Sequence, residues 1–416
     1  MILARYSMGV GDRFAHQAAA QLAAFAKAKQ LGVDVTPVWN KSNREHQIIG
    51  TQPGDVRREA DEAVAASHWT GPYHVDADHI GLKTVDAFIE ASDYFTLDVA
   101  DFSGRPAAPE AIGAFVRKYR RFVGTVQIPG IEAPFRITEP EIAGIAHKYL
   151  LAVQEAGNIY RHVAGKKGDG RFITEVSMDE TDLPQTPVEL LFILAAIADE
   201  GIPAQTVAPK FTGRFNKGVD YVGDLAQFDR EFNDDLCVIA FAVREFGLPA
   251  NLKLSVHSGS DKFSIYPLIH RAITRHGAGL HIKTAGTTWL EELIGLAMAG
   301  GDGLEIARSV YRQALHRYDE LCAPYATVID IDRSKLPPPG EVDRWSEAQY
   351  ATSLRHDLSC PAYNLHLRQL LHVGYKVAAE MGPRYLEALA KHEQVIAGNV
   401  TTNIFDRHLK PVFLGS

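Results

Sequence analysis

A barrel of eight parallel strands wrapped in helices, the TIM-like (β/α)8 fold of the α/β class, is what this chain predicts, and three observations predict it. Short β-branched or aromatic runs alternate with alanine-rich stretches of helical period, the pattern of βα units around a parallel sheet. Eight such runs can be counted, which favours a closed barrel over an open doubly wound sheet. Histidine closes or nearly closes three of them, at His79, His257 and His281, each inside a polar cluster. In a parallel barrel the C-terminal strand ends open into one shared pocket, so residues far apart in sequence can meet on one metal ion there.

In chain order the strands are expected at 2–6, 33–38, 73–75, 94–99, 171–176, 205–208, 253–256 and 280–283. The stretch 16–31, HQAAAQLAAFAKAKQL, combines strong helix formers with apolar spacings of three and four, so it covers the outside of the barrel. Helices of the same kind are expected at 84–91, 187–200, 225–246 and 266–275, several opening on a capping Thr or Asp or on an early Pro. Two regions fall outside the repeat. Residues 104–168 hold a Pro- and Gly-containing stretch and then a helix from near Glu139, read as an insertion or lid after the fourth strand. The expected organisation is therefore a catalytic barrel over 1–290 with that insertion, and a mostly helical extension over 291–416 packed on it.

Composition narrows the function. With 416 residues, 46% hydrophobic and 23% charged, the chain can bury a large core. A net charge of -8 offers no basic face to nucleic acid or to an anionic membrane. Small molecules are the expected partners, and the oligomeric state stays open. Cys237, Cys322 and Cys360 show no CxxC spacing, which speaks against a zinc ribbon or a disulfide framework. With no signal peptide and no run of about 18 apolar residues, a cytoplasmic location is expected.

The chemistry concentrates at the predicted strand ends. HVDADHIG places Asp76 and Asp78 on one side of a period-two strand with His79 at its exit. His79 can bind a metal while Asp78 acts as general base; the alternative is that both cap a helix near Thr84. In KLSVHSGSDKF, His257 points at the metal, while the turn at Ser258 and the cation Lys262 hold anionic or hydroxylated groups. His281 and Lys283 lie at i and i+2 on one strand face, a ligand and a cation together. The loops after the last two strands of such barrels often hold an anion, so a carboxylate or phosphate is a reasonable target. Beyond the fifth strand come Glu175, Asp179 and Glu180; Glu180 is a second proton-transfer group opposite Asp78, or a solvated loop acid. Beyond the sixth come Lys210, the nearest substrate contact, and Arg214, suited to a bidentate carboxylate pair. Asp224 reads as a helix N-cap or as a fourth metal ligand. Imidazole and carboxylate donors suit a divalent cation: zinc, manganese, nickel, cobalt or iron.

Two signals are weaker. GVGDRF resembles the opening of a dinucleotide fingerprint, but Phe14 stands where glycine is required. WNKSNREH, with Asn40, Lys41, Asn43, Arg44 and His46, either lines the mouth or is a solvated loop.

Together the segments YHVDADHIGLKTVDAFIEASDYFTLDVADF, EVSMDETDLPQTP, PKFTGRFNKGVDYVGDL, LSVHSGSDKFSIYP, HIKTAGTTWLE and TTNIFDRHLKP span nearly the whole chain and resemble the tagaturonate epimerase family of bacterial hexuronate metabolism. The resemblance implies a divalent metal and interconversion of the keto-uronates D-tagaturonate and D-fructuronate, which differ at C4. It also implies Asp78 and Glu180 as the acid/base pair and His79 and His257 as metal ligands, with His281 or Asp224 completing the site. The C4 hydrogen is not adjacent to the C2 ketone, so direct enolisation would exchange C3; breaking and remaking the C3–C4 bond by retro-aldol chemistry avoids this. Lys210, Arg214, Lys262 and Lys283 would then hold the substrate carboxylate while the aldehyde fragment turns. A metal-dependent aldolase or ketose isomerase is the nearer rival, and a non-catalytic sugar-acid-binding barrel the more distant one.

Overall fold

The computed structural model describes residues 1–284 and 286–415. Eight parallel strands close a barrel in the order β1 (Tyr6–Gly11), β2 (Thr36–Ser42), β3 (His74–Ile80), β4 (Tyr94–Asp98), β7 (Ile173–Ser177), β8 (Thr206–Ala208), β9 (Lys253–His257) and β10 (Leu280–Lys283), which pairs back with β1. β5 (Gly124–Val126) and β6 (Phe135–Ile137) form a separate antiparallel pair. The TIM-like class is as expected, and β10 matches its expected limits.

Where strand limits differ, the barrel interior is the reason. β1 begins at Tyr6, where the expected strand ends. Its inward residues are Ser7 and Gly9 and carry no apolar signal, whereas Met8 and Val10 pack outward. Leu3 instead joins Val38, Tyr94 and Ile173 in a small apolar plug. Gly9 must be small: a Cβ there would lie 2.8 Å from Lys283 Cγ, which passes over it. β3 runs on through Asp76 and Asp78 because those carboxylates find a cation inside the barrel, a partner that local sequence cannot show.

The helices follow the alternation. Leu225–Phe246 has the expected limits, and Ala18–Gln30, Pro187–Asp199 and Tyr266–His276 fall within two residues of theirs. The helix expected at 84–91 is only a single 3-10 turn, Val85–Phe88, since the connection from Ile80 to Tyr94 is too short for more. Residues 104–168 contain the helix Pro109–Tyr119, the β5–β6 pair and the 29-residue helix Glu139–Lys167, opened by a Thr138–Glu141 capping box. That long helix packs against β4 and the helix Pro187–Asp199. It thus serves as the crossover that a parallel β4–β7 connection requires, rather than as part of an insertion.

The boundary expected at 290/291 lies inside the helix Thr287–Ala299, the covering helix that follows β10. Glu393–Ile404 packs across it and across Ala18–Gln30, closing the barrel exterior between the last and first strands. The helices approach so closely at Gly295 that a Cβ would lie 2.7 Å from Ile396 Cγ1. A buried ionic node fastens this region to the barrel. The Asp261 carboxylate takes Arg368 Nη2 at 2.7 Å, Thr287 Oγ1 at 3.1 Å, and His356 and His408 at 3.3 Å each. Burial alone would raise the Asp261 pKa; Arg368, His356 and His408 overcome it and hold the group well below the usual carboxylate range. No helix among the described residues is long and apolar enough to cross a membrane.

Candidate active site

Side chains pointing into the barrel carry an ionic stack that rises to its C-terminal mouth. Lys283 Nζ, 3% exposed, lies 2.7 Å from Asp76, 2.9 Å from Asp78 and 2.9 Å from Glu175. Tyr94 and Thr96 donate to Glu175, and Thr96 reaches Asp76 as well. One cation facing three carboxylates leaves excess negative charge, and the protons redistribute accordingly. Burial pushes the Asp76 carboxyl up to about 7 against the pull of Lys283. At Asp78 the same burial is outweighed by Lys283, His79 and His257, which hold it at about 2.

Above this stack two histidines meet, their ring centroids 5.2 Å apart. His79 sits at φ +53, in the left-handed region, beside a register shift between β3 and β4. A non-glycine residue there costs about 1–2 kcal/mol. The kink turns the ring out of strict strand alternation toward Asp98 Oδ2, 3.1 Å from its Nδ1. His257 is held in the same manner, with Nε2 2.8 Å from Glu175 Oε1. Its Nδ1 is buried and lies 3.2 Å from Asp179 Oδ2, with no aligned hydrogen bond among the described residues. One donor atom from each of His79, Asp179 and His257 lies within 4.8 Å of the others, and the same holds for His79, Asp98 and Glu180. Burial pulls both histidine pKa values down, but Asp179 and Glu175 bring His257 up to about 9, and Asp78 and Asp98 raise His79 well above its ordinary value. A field that holds protons on two adjacent imidazoles also favours a divalent cation, which would displace them.

The donor set fits such an ion. Two imidazoles and a carboxylate converge, the buried His257 Nδ1 faces only the third donor, Asp179, among the described residues, and carboxylates orient the opposite nitrogens of both rings, as ligating histidines are commonly oriented.

Other expected site residues lie elsewhere. His281 is deep in the barrel, its Nδ1 2.9 Å from Ser7 Oγ and its ring against Tyr94, and it does not reach the mouth group. Two residues along a strand carried it a full layer below Lys283. Asp224 caps the helix Leu225–Phe246, accepting from Ala226 and Gln227, and is exposed. The four expected substrate cations do not form one pocket. Lys283 is committed to its carboxylates, and buried Lys262 donates to the carbonyls of Asn216 and Val219. Lys210 Nζ bonds the Thr181 carbonyl, and Arg214 pairs with Asp330 at 3.2 Å. Ser258 Oγ donates to the Lys283 carbonyl at 2.6 Å, fastening loop to strand. Of the expected pair, Asp78 sits beneath His79 and Glu180 is exposed at the rim beside it.

Comparison with known proteins bears on this geometry. The family model for tagaturonate epimerase (UxaE) matches residues 2–410. The chain belongs to the tagaturonate epimerase family. A tagaturonate/fructuronate epimerase of Thermotoga maritima is 29% identical over 419 aligned residues, covering 97% of this chain and 80% of the relative. Two glycerol-bound crystal structures of the fructuronate-tagaturonate epimerase of Cohnella laeviribosi superpose with TM-scores of 0.81 and 0.80 at 22% and 23% identity. Each covers 98% of this chain and 81% of the crystallised one, and they share its fold. For this epimerase-family chain the sequence reading missed Asp98 and assigned Asp179 no ligand role. The signal was present: both are acids at or just past a strand end, where a parallel barrel collects its functional groups.

Proposed function

We propose that this chain interconverts D-tagaturonate and D-fructuronate by inverting C4, assisted by a divalent cation held by His79, Asp179 and His257. Membership of the tagaturonate epimerase family over residues 2–410 carries the reaction; the convergence of the three donors supports the cation. His79, Asp179 and His257 are preferred over His79, Asp98 and Glu180 because Asp98 already holds His79 Nδ1, as Glu175 holds His257 Nε2. Zinc, manganese, nickel, cobalt and iron all suit these donors. A bound divalent cation supplies Lewis acidity at a ketone oxygen. The three free cysteines fit a reducing cytoplasm.

The retro-aldol route follows. The C4 hydroxyl proton passes to a carboxylate while the C3–C4 bond breaks and its electron pair moves onto the C2 oxygen. This leaves a three-carbon enediolate and a three-carbon aldehyde acid. The aldehyde turns, the bond re-forms on its other face, and the proton returns to the C4 oxygen. Asp78 below His79 and Glu180 at the rim are the two acceptors. Asp78 is kept ionised by Lys283, so it stands in its proton-accepting form, as a weak base that returns the proton readily. Glu180, facing water, exchanges its proton with bulk solvent between turnovers.

An NMR time course with D-tagaturonate tests this, run on protein as isolated, after EDTA, and after restoring each divalent metal. D-Fructuronate should form only with metal. No conversion under any metal overturns the proposal, and solvent exchange at C4 without trappable three-carbon fragments overturns the cleavage route.

A further inference from the structure

Just past β10, the start of the helix Thr287–Ala299 forms a second polar centre. Its N-cap is Gly286, at φ +91, and no side chain caps its first turn. Thr287 Oγ1 turns away to Asp261, and Thr288 Oγ1 accepts from Gln21. The uncapped amides of a helix start, together with the helix dipole, favour an anion.

His372, from the C-terminal helix Leu365–Val373, faces this turn. It is 2% exposed, and neither Nδ1 nor Nε2 has a hydrogen-bond partner among the described residues. Its Nε2 is the nearest atom to the space a Cβ on Gly286 would occupy, with Arg13 Nη2 3.1 Å from the same point. Arg13, 7% exposed, spends Nε on Glu45 and Nη1 on the His372 carbonyl, so Nη2 remains directed at Gly286. Lys217 adds a further positive charge near His372. A Cβ on the neighbouring Gly218 would lie 3.2 Å from His372 Cβ, and Lys217 Nζ packs by Gly259, at the mouth. It makes no hydrogen bond or ion pair with the side chains of other described residues. Burial drives His372 toward its neutral form, and Arg13, Lys217, Arg368 and Lys262 add to that effect, which shows how positive its surroundings are. Among the described residues, a buried imidazole with two unbonded nitrogens, an arginine with one unbonded nitrogen and a helix start whose first turn has no side-chain cap, with only the Thr287 amide taken by the Thr284 carbonyl, make a built anion cradle.

We infer that Arg13, Lys217, His372 and the first turn of Thr287–Ala299 bind the carboxylate of the sugar acid. The inference rests on the proposed keto-uronate substrate and supplies the carboxylate contact that Lys210, Arg214, Lys262 and Lys283 do not form. Its place is suitable. Gly286 is three residues past Lys283, within about 11 Å along the chain, and a C6 carboxylate stands roughly 5 Å from C2. It also gives the C-terminal helices a share in the site, through His372.

The test is calorimetric titration of the metal-loaded full chain with D-galactonate, a linear six-carbon acid without a ketone, and with galactitol, its uncharged counterpart. The parent should bind D-galactonate at least tenfold tighter than galactitol, and Lys217→Met and His372→Gln should each erase that preference. Lys217 is partly exposed, so Lys217→Met reports even if His372→Gln fails to fold. In the epimerase assay Lys217→Met should raise KM for D-tagaturonate by more than it lowers kcat. Equal binding of the two probes by the parent, or an undiminished preference in Lys217→Met, overturns the inference. Neither probe can be epimerised through a ketone, so the result is independent of turnover. A parent that prefers D-galactonate, loses that preference in Lys217→Met, and leaves D-tagaturonate unchanged refutes the epimerase reading while upholding the cradle.

Discussion

Replacing Lys283 with methionine keeps most of the apolar side chain and removes the one cation that, among the described residues, touches all three of Asp76, Asp78 and Glu175. All four groups are buried, so solvent does little to screen the loss. The shift of Asp78 from 3.8 to about 2 already amounts to about 2 kcal/mol of stabilised charge. Removing one member of a buried ionic group typically costs about 3–5 kcal/mol. For 416 residues, at about 2 cal/mol/K of unfolding entropy per residue, this is a fall in Tm of roughly 3–6 °C. The pH dependence has a definite sign. Without the cation, the three carboxyls hold protons to higher pH in the folded chain than in the unfolded one. Stability is then lost as pH rises above the unfolded carboxylate range near 4, and the deficit against the parent widens toward pH 8. Thermal unfolding of parent and Lys283→Met at pH 5 and pH 8 measures this. A Tm within about 1 °C of the parent at pH 8, or a larger deficit at pH 5 than at pH 8, would refute the reasoning.

Three further outcomes are expected. Asp98→Asn should leave the fold intact but loosen His79, weakening divalent-metal affinity by roughly 10–100-fold in a chelator competition; unchanged affinity would show that Asp98 does not orient the ring. Arg368→Met leaves Asp261 buried with only histidines and Thr287, at a cost of about 3–5 kcal/mol, and limited proteolysis should then cut first in the C-terminal helices; an unaltered cleavage pattern would oppose this. Burial lowers the His281 pKa to about 3, so below its unfolded value of 6.5 only the unfolded chain takes up the proton and stability falls as pH drops from 6.5 toward 3. His281→Asn should therefore remove about 2 kcal/mol of the parent's loss between pH 7 and pH 5, visible as a smaller change in Tm; identical slopes would contradict it.

The alternation of short strands with amphipathic helices, and the placement of polar clusters after them, depend on spacing along the chain, so the barrel class and the mouth residues Asp78, His79, Glu180 and His257 could be read from the sequence alone. Local chemistry also marked Asp224 as an N-cap candidate, the role it has in the structure. Depth within the barrel was not readable. His281 and Lys283 share a strand face, yet one is a buried layer residue and the other a counterion for three acids, because depth depends on register against neighbouring strands. The partners of a charge were hidden as well. Lys262 and Lys210 appeared to be free cations, but tertiary contacts occupy them with backbone carbonyls. His79 took its orientation from a left-handed kink and from Asp98 on the next strand. His372 reaches the turn after β10, against Gly286, from more than eighty residues beyond the last strand. Periodicity is a property of neighbours in sequence and determines what each segment becomes; burial, ion pairing and ligand convergence are properties of neighbours in space, and only the closed barrel brings those together.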